Sequence, residues 1–256
     1  MAADGVEMEK EIRLDKFLAD SGAGTRSQVK LFIKNGKVTV NDSIAKDAGL
    51  KIGAQDIVLL EKRLVQKTGF SYYMLNKPQG CVSAAKDNLS ETVLELLKGV
   101  RTKGLFPVGR LDKDTEGLLL ITNDGQLSHE LLSPRKHVAK TYYAVLDGKL
   151  SDEDIKALEA GIDIGDERPC LPAKVARSCH NAGTNVSLDS SAAYEITITE
   201  GRFHQVKRMF FKRGKNVLYL KRLSMGSLIL DKTLKPGQFR PLSEEELRLL
   251  KGEYTC

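Results

Sequence analysis

The sequence has 256 residues, 41% of them hydrophobic, and a formal net charge of +6 at pH 7. This length allows one large domain, or a medium domain with a small partner, and the charge favours a polyanionic partner. Residues 1–11 lack the apolar core of a signal peptide, and no apolar run is long enough to span a bilayer. We therefore expect a cytosolic protein that does not enter membranes.

Motifs for metals and cofactors are absent from the sequence. The four cysteines form no Cys-x-x-Cys pair, and the four histidines lack the spacing of a metalloprotease motif. The chain also has no phosphate-binding glycine loop of the Walker type and no dinucleotide fingerprint. We expect neither a metal nor a structural disulfide, so the chemistry should come from side chains.

The N-terminal part predicts a small α+β module. Glycines and Thr25 separate two short patterns of helical periodicity, and Thr25 is placed to cap the second helix. The predicted helices and strands cover residues 12–18, 29–33, 37–41 and 56–60. We expect this module to cover residues 11–58 and a charged linker to cover residues 59–68.

Three phrases in this module are more specific than its periodicity. They are Arg-Leu-Asp-Lys-Phe-Leu at residues 13–18, Thr-Arg-Ser-Gln at 25–28 and Ile-Lys-Asn-Gly-Lys-Val-Thr-Val-Asn at 33–41. Together they resemble the RNA-binding domain of the ribosomal protein S4 type. The resemblance implies that the helix pair binds structured RNA, with Arg26, Ser27 and Lys30 on the contact surface. Without it, these residues would fit an ordinary solvated helix face.

The rest of the chain is organised around residues 109–124, Gly-Arg-Leu-Asp-Lys-Asp-Thr-Glu-Gly-Leu-Leu-Leu-Ile-Thr-Asn-Asp. The apolar run at 118–121 predicts a strand that is buried on both faces. The polar residues before it place an arginine and three acids beside packed protein, an environment in which a carboxylate can become catalytic. From these residues alone, an exposed acidic turn remains the alternative.

Further strands and helices are predicted on both sides of this stretch. The strands cover residues 70–76, 140–145, 171–177, 185–188, 193–199 and 228–230, and the helices cover 90–97, 126–132, 151–160 and 243–250. The first of these strands should end at Lys77, because the proline and glycine that follow cannot continue a ladder. The second half is therefore β-rich, and we expect its strands to be antiparallel.

Residues 200–214 predict a basic helix. At helical spacing, Phe203, Val206 and Phe210 form an apolar stripe, and Lys207 projects beside it. A cation next to apolar side chains is costly unless it meets an anion. No carboxylate occurs between Glu200 and Asp231, so we expect part of this segment to face phosphates.

Four motifs then occur in a family's order: Asn-Lys-Pro-Gln-Gly at 76–80, Gly-Arg-Leu-Asp at 109–112, Lys-Thr-Tyr at 140–142 and Gln-Val-Lys-Arg at 205–208. They resemble the pseudouridine synthases that act on ribosomal RNA, most closely the small-subunit branch. The resemblance implies that Asp112 is catalytic, that Tyr142 lies over the target base, and that Lys207 pairs with Asp112 and holds it ionised. The expected RNA contacts are Arg110, Lys77, Arg208 and Arg202, with Arg110 occupying the space that the target base leaves.

The expected fold class is α+β. A small RNA-binding domain should precede a catalytic domain over residues 69–252, with a mixed, mainly antiparallel sheet flanked by helices. The expected function is isomerisation of one uridine of 16S rRNA by a monomer without a cofactor, with rRNA or a small-subunit assembly intermediate as the partner. The alternatives are action on 23S rRNA, a catalytically silent ribosome-assembly factor, and a hydrolytic RNA enzyme, for which no second acid lies in a matching motif.

Overall fold

The computed structural model describes residues 11–53, 55–65, 69–178 and 192–253. Backbone contacts divide the chain into two compact units, with the boundary between residues 70 and 71 and with residues 101–104 grouped with the first unit. Several sequence-based expectations lie outside the described residues: the strand at 185–188, the N-terminal residues 1–10, the linker residues 66–68, and Cys179 and Cys256.

The first unit contains two helices and six short strands among its described residues. In chain order they are β1 (Ile12–Arg13), α1 (Leu14–Asp20), α2 (Arg26–Lys34), β2 (Val38–Val40), β3 (Ser43–Ile44), β4 (Lys51–Ile52), β5 (Val58–Leu60) and β6 (Arg63–Leu64). Strands β3, β2, β5 and β6 form one antiparallel sheet, and β1 pairs with β4. The predicted α+β module is confirmed.

The helix pair of this unit follows from its sequence. Thr25 caps α2 through a capping box with Gln28, as the Thr-x-x-Gln spacing favours. The buried residues of the two helices, including Leu14, Leu18, Val29 and Ile33, pack in one apolar core. Because the apolar positions of α2 face this core, its polar positions face solvent.

The second unit contains the remaining elements. They are β7 (Tyr72–Lys77), β8 (Phe106–Pro107), β9 (Glu116–Thr122), α3 (Gly125–Leu132), β10 (Lys140–Leu146), α4 (Asp152–Ala160), β11 (Lys174–Arg177), β12 (Ala193–Ile198), α5 (Gln205–Phe211), β13 (Val217–Met225), β14 (Leu228–Ile229), β15 (Phe239–Pro241) and α6 (Glu244–Lys251). A 3-10 turn at Pro134–Lys136 follows α3. Capping boxes begin α4 at Ser151 and α6 at Ser243, as the sequence predicts.

One mixed sheet forms the centre of the second unit. Its strand order in the described part is β11, β12, β10, β13, β9, β7, β15, with β14 beside β13 and β8 beside β9. All of these pairs are antiparallel except β9 with β13, which run parallel and pair only at Glu116 with Lys221 and Gly117 with Arg222. The predicted mixed, mainly antiparallel sheet is confirmed, and its parallel pair joins two antiparallel halves.

Strand β9 is buried on both faces, as its continuous apolar run predicts. Leu119 and Ile121 belong to the large core on one face of the sheet, and Leu118 and Leu120 belong to a second core on the other face. Side chains alternate along a strand, so a strand covered on both sides needs apolar residues at consecutive positions. This burial fixes the strand that directly follows residues 109–115.

Two local predictions are wrong. Residues 90–97 form turns instead of a helix, because the segment bonds to residue 82: Val82 N–H donates to Glu91 O and Val93 N–H donates to Val82 O. Phe203 does not join the apolar stripe of α5, because the helix begins only at Gln205, and Phe203 as a residue is 73% exposed.

Candidate active site

The parallel pairing of β9 and β13 brings two distant segments together. Asp112 lies in the turn before β9, and Lys207 lies on α5, before β13. Because the two strands run in the same direction, the segments that precede them reach the same edge of the sheet. Lys207 Nζ lies 3.1 Å from Asp112 Oδ2. The predicted contact between these two side chains is therefore present.

Lys207 serves a second carboxylate that the sequence analysis did not identify as its partner. Its Nζ also donates to Asp114 Oδ1 at 2.5 Å. Burial lowers the pKa of Lys207, but the hydrogen bonds to Asp114 and Asp112 outweigh burial and raise it above its usual value. Burial likewise raises the pKa of Asp114, and the hydrogen bond from Lys207 outweighs it and lowers that pKa. The three groups thus form a charged cluster in which one ammonium holds two acids.

The two acids differ in their exposure. The Asp112 side chain is 27% exposed and lies at the buried end of the cluster, whereas the Asp114 side chain is 70% exposed. Partial burial strengthens electrostatic interactions because less water screens them. Asp112 is therefore the better placed of the two to act on a substrate that excludes water.

His204 contacts the same carboxylate from the other side. Its Nε2 lies 3.5 Å from Asp112 Oδ1, and its imidazole stacks on the Phe203 ring with centroids 3.8 Å apart. The backbone of His204 is left-handed, with φ 49°, and it directly precedes α5. Sequence reasoning missed this contact, although His204 stands next to the Gln-Val-Lys motif.

Lys77 donates hydrogen bonds to the backbone of the turn that carries Asp112. Its side chain is fully buried, and its Nζ donates to the carbonyl oxygens of Pro78 at 2.9 Å, Asp112 at 3.0 Å and Thr115 at 2.9 Å. Burial lowers the pKa of Lys77. The predicted RNA contact of Lys77 is wrong, because β7 carries its ammonium into the protein and the carbonyls of the turn surround it there.

Two further contacts fix the same turn. Ser83 Oγ accepts from Leu111 N–H at 3.0 Å and donates to Leu111 O at 2.9 Å. Gly80 N–H donates to Lys113 O at 2.8 Å. A turn held by side chains and backbone on both sides presents its carboxylate in a fixed geometry, which is what preorganised catalysis requires.

Gly117 allows the two halves of the sheet to approach each other. Its φ is +104°, and a Cβ atom added there would lie 2.3 Å from Arg222 O and 2.7 Å from Arg222 N. Only glycine combines this backbone conformation with so close an approach. The parallel pairing of β9 with β13 therefore requires glycine at position 117.

Tyr142 lies on the large-core face of β10. It belongs to the same buried cluster as Leu111 and Val206, whereas Tyr143 lies in the cluster on the opposite face. In the register of the sheet, Tyr142 stands opposite Arg222, next to the parallel pair. The expectation that the two tyrosines face opposite ways agrees with this arrangement, and the Tyr142 side chain is largely buried.

Arg202 and Arg208, which were predicted to face phosphates, form ion pairs within the protein. Arg208 pairs with Asp166 at 2.6 Å and donates to Ile164 O at 2.7 Å. Arg202 pairs with Glu200 at 3.1 Å, and its guanidinium also donates to the backbone carbonyls of residues 168 and 169. Both guanidinium groups are thus engaged in anchoring the segment 164–169, and carboxylates already neutralise them.

Other basic residues predicted to contact RNA, or belonging to the basic C-terminal stretch, differ in their exposure. Arg110 and Lys113 flank Asp112 in the turn, and both are exposed. Lys221 and Arg222, from the basic C-terminal stretch, are buried in the sheet. In the first unit, Arg26, Ser27 and Lys30 are all on the exposed side of α2.

Over the described ranges, no group of three or more His, Cys, Asp or Glu side chains is arranged to hold a metal ion. Within the same part of the chain, no helix has the length and hydropathy needed to cross a membrane.

The site thus places an ion-paired aspartate on a hydrogen-bonded turn of a mixed sheet, in a chain that also carries a small α+β unit with a helix pair. Comparison with known proteins gives the family. The RNA pseudouridylate synthase model matches residues 71–212, and the S4 domain model matches residues 12–58. The chain belongs to the RNA pseudouridine synthase family, whose members are isomerases. The predicted family and enzyme class are confirmed.

Individual relatives match over nearly the whole chain. The chain is 46% identical to the uncharacterized RNA pseudouridine synthase YtzG of Bacillus subtilis, over 93% of its own length and 98% of the relative. It is 38% identical to the ribosomal small subunit pseudouridine synthase A of Vibrio cholerae, over 92% and 98% respectively. A crystal structure of a pseudouridylate synthase, 36% identical, aligns with a TM-score of 0.66 over 93% of this chain and 99% of that one.

Proposed function

We propose that this protein isomerises one uridine of small-subunit ribosomal RNA to pseudouridine, and that Asp112 carries the chemistry without a cofactor. The observation that supports Asp112 most directly is its partly buried carboxylate, which Lys207 holds at 3.1 Å on a turn fixed by Lys77 and Ser83. The relatives named ribosomal small subunit pseudouridine synthase A, at 37–38% identity, support the choice of RNA.

The reaction is an isomerisation, in which the proton lost from base C5 is balanced by a proton gained at N1. The bond between base N1 and ribose C1′ breaks, the uracil turns, and a new bond joins C5 to C1′. The C5 proton then leaves, and N1 ends with a proton. Asp112 either attacks C1′ as a nucleophile or removes a ribose proton in a glycal route, and both roles use an ionised carboxylate. Lys207 Nζ, 3.1 Å from Asp112 Oδ2, places a positive charge beside this carboxylate.

The target base must leave its stack to reach this turn. Tyr142, in the core beside the parallel pair, is the aromatic group proposed to stack on the extruded uracil. Arg110 is exposed two residues before Asp112 and would occupy the space from which the base has moved. Both roles come from the family resemblance and fit the positions of these side chains.

Catalysis by Asp112 is tested with purified protein and transcripts of 16S and 23S rRNA tritiated at uridine C5. We expect the wild type to release about one equivalent of tritium from 16S rRNA and Asp112→Asn to release none, with unchanged RNA binding. Asp114→Asn is the matched control, because it removes the other acid held by Lys207 and should keep the activity. Tritium release by Asp112→Asn at the wild-type rate would refute the proposal. If the wild type released tritium from 23S rRNA alone, the proposed substrate would change from 16S to 23S rRNA.

The first unit is proposed to supply affinity through α2. Arg26, Ser27 and Lys30 share its exposed side, opposite the buried Val29. Replacing Arg26 and Lys30 by alanine should weaken rRNA binding. The slope of the logarithm of the binding constant against the logarithm of salt concentration should become shallower by about 1 for each lost phosphate contact. Lys46→Ala, exposed in the same unit, is the control. An unchanged salt slope for the double variant would exclude this surface.

A further inference from the structure

Phe203 presents an aromatic ring to solvent beside the candidate active site. The residue is 73% exposed although His204 covers one face of its ring, with an interplanar angle of 18° and centroids 3.8 Å apart. The opposite face of the ring therefore lies in solvent. Exposing a large apolar ring is unfavourable for an isolated protein, and a ring held in place by a second ring is ready to stack on a third.

His204 ties this ring to Asp112. The imidazole that stacks on Phe203 also brings its Nε2 to 3.5 Å from Asp112 Oδ1. His204 directly precedes α5, and its side chain makes both contacts while its backbone is left-handed. This backbone conformation costs free energy for a residue other than glycine. Phe203 is thus in direct contact with His204, the side chain that contacts the candidate catalytic carboxylate.

We propose that the free face of Phe203 stacks on an unpaired base next to the target uridine in the RNA. The inference rests on the proposed function. Proteins that bind single-stranded RNA use exposed aromatic rings in this way, and such stacking tolerates any base. Phe203 is too exposed to enclose the extruded uracil itself, a role that suits the buried Tyr142. The site would then select RNA whose target uridine has an unstacked neighbour, whatever the sequence.

The test combines protein variants with altered RNA. The probe is the shortest 16S rRNA fragment that the wild type modifies, prepared intact and with an abasic nucleotide on the 5′ or the 3′ side of the target. On intact RNA, Phe203→Ala should raise KM about 5- to 150-fold, the range for loss of one stacked base, with kcat largely kept. Phe203→Trp should restore KM. Phe211→Ala removes another exposed aromatic ring, at the far end of α5, and should change nothing.

The decisive result comes from testing the Phe203→Ala variant on the abasic RNAs. On the RNA that lacks the stacking partner, the wild type should show the raised KM, and Phe203→Ala should add no further loss. If the losses from the variant and from each abasic RNA multiply, or if Phe203→Ala has the wild-type KM on intact RNA, the stacking role is refuted. A wild type that is inactive on every rRNA refutes the proposed function instead, so the two failures are distinguishable.

Discussion

Replacing Gly117 with alanine should force apart the two halves of the catalytic sheet. The new Cβ would lie 2.3 Å from Arg222 O, more than 1 Å inside the 3.4 Å at which ordinary contacts begin, and Arg222 O is backbone. The φ of +104° adds strain of about 1–3 kcal/mol, and overpacking of this kind adds about 1–3 kcal/mol. We expect a loss of about 2–6 kcal/mol, which lowers Tm by roughly 5–20 °C for a protein of this size.

The effect should reach the chemistry as well. Asp112 and Lys207 precede the two strands that the Cβ separates, and a displacement of about 1 Å in a catalytic group can cost about 100-fold in rate. The assays are thermal unfolding and single-turnover tritium release. Gly99→Ala is the control, because Gly99 has a φ of +79° with no atom within 4 Å of the added Cβ. A Gly117→Ala protein with the stability and rate of Gly99→Ala would refute the reasoning.

Three further predictions follow from the site and its surroundings. Lys77→Met should leave buried carbonyls of the turn without a donor, so stability should fall by about 3 kcal/mol and kcat should fall with it, as thermal unfolding and single-turnover rates would show. Lys207→Met removes the hydrogen bond that lowers the pKa of Asp114 against the opposing effect of burial. The pKa of the Asp114 carboxyl should therefore rise in Lys207→Met, as a carbon-13 NMR titration would show, whereas Arg208→Met should leave that pKa in place. Hydrogen bonds from a threonine two residues later hold the pKa of Asp231 at about 2, below the ordinary 3.8. The stability it contributes is present above pH 3.8 and lost as pH falls towards 2, so Asp231→Asn should lower Tm at pH 7 and match the wild type near pH 2.

Features governed by local sequence were predictable. The Ser-x-x-Asp and Ser-x-x-Glu capping boxes fixed the starts of α4 and α6, and the continuous apolar run fixed β9. The contact between Lys207 and Asp112 was also predictable, because a cation beside an apolar stripe requires an anion and the family motif names that anion. In each case the information lies within a few residues or within one motif.

Contacts set by tertiary packing were not predictable. Nothing near Arg208 in sequence indicates that Asp166, 42 positions away, will neutralise it. Lys77 reads as a surface lysine after a strand, and only the surrounding carbonyls of the turn explain its burial. Ser83 has no motif at all, although it holds Leu111 from both sides.

The parallel pair of β9 and β13 also has a consequence for folding. Lys207 and Asp114 are 93 residues apart in sequence, and the segments that carry them precede the two strands of this pair. Contacts between distant residues carry a larger loop-closure cost and form more slowly than local ones. During refolding, each antiparallel half can form its own ladders before the charged cluster exists. Recovery of enzymatic activity should therefore lag behind recovery of secondary structure, and the final rise in activity should report the closing of this one seam.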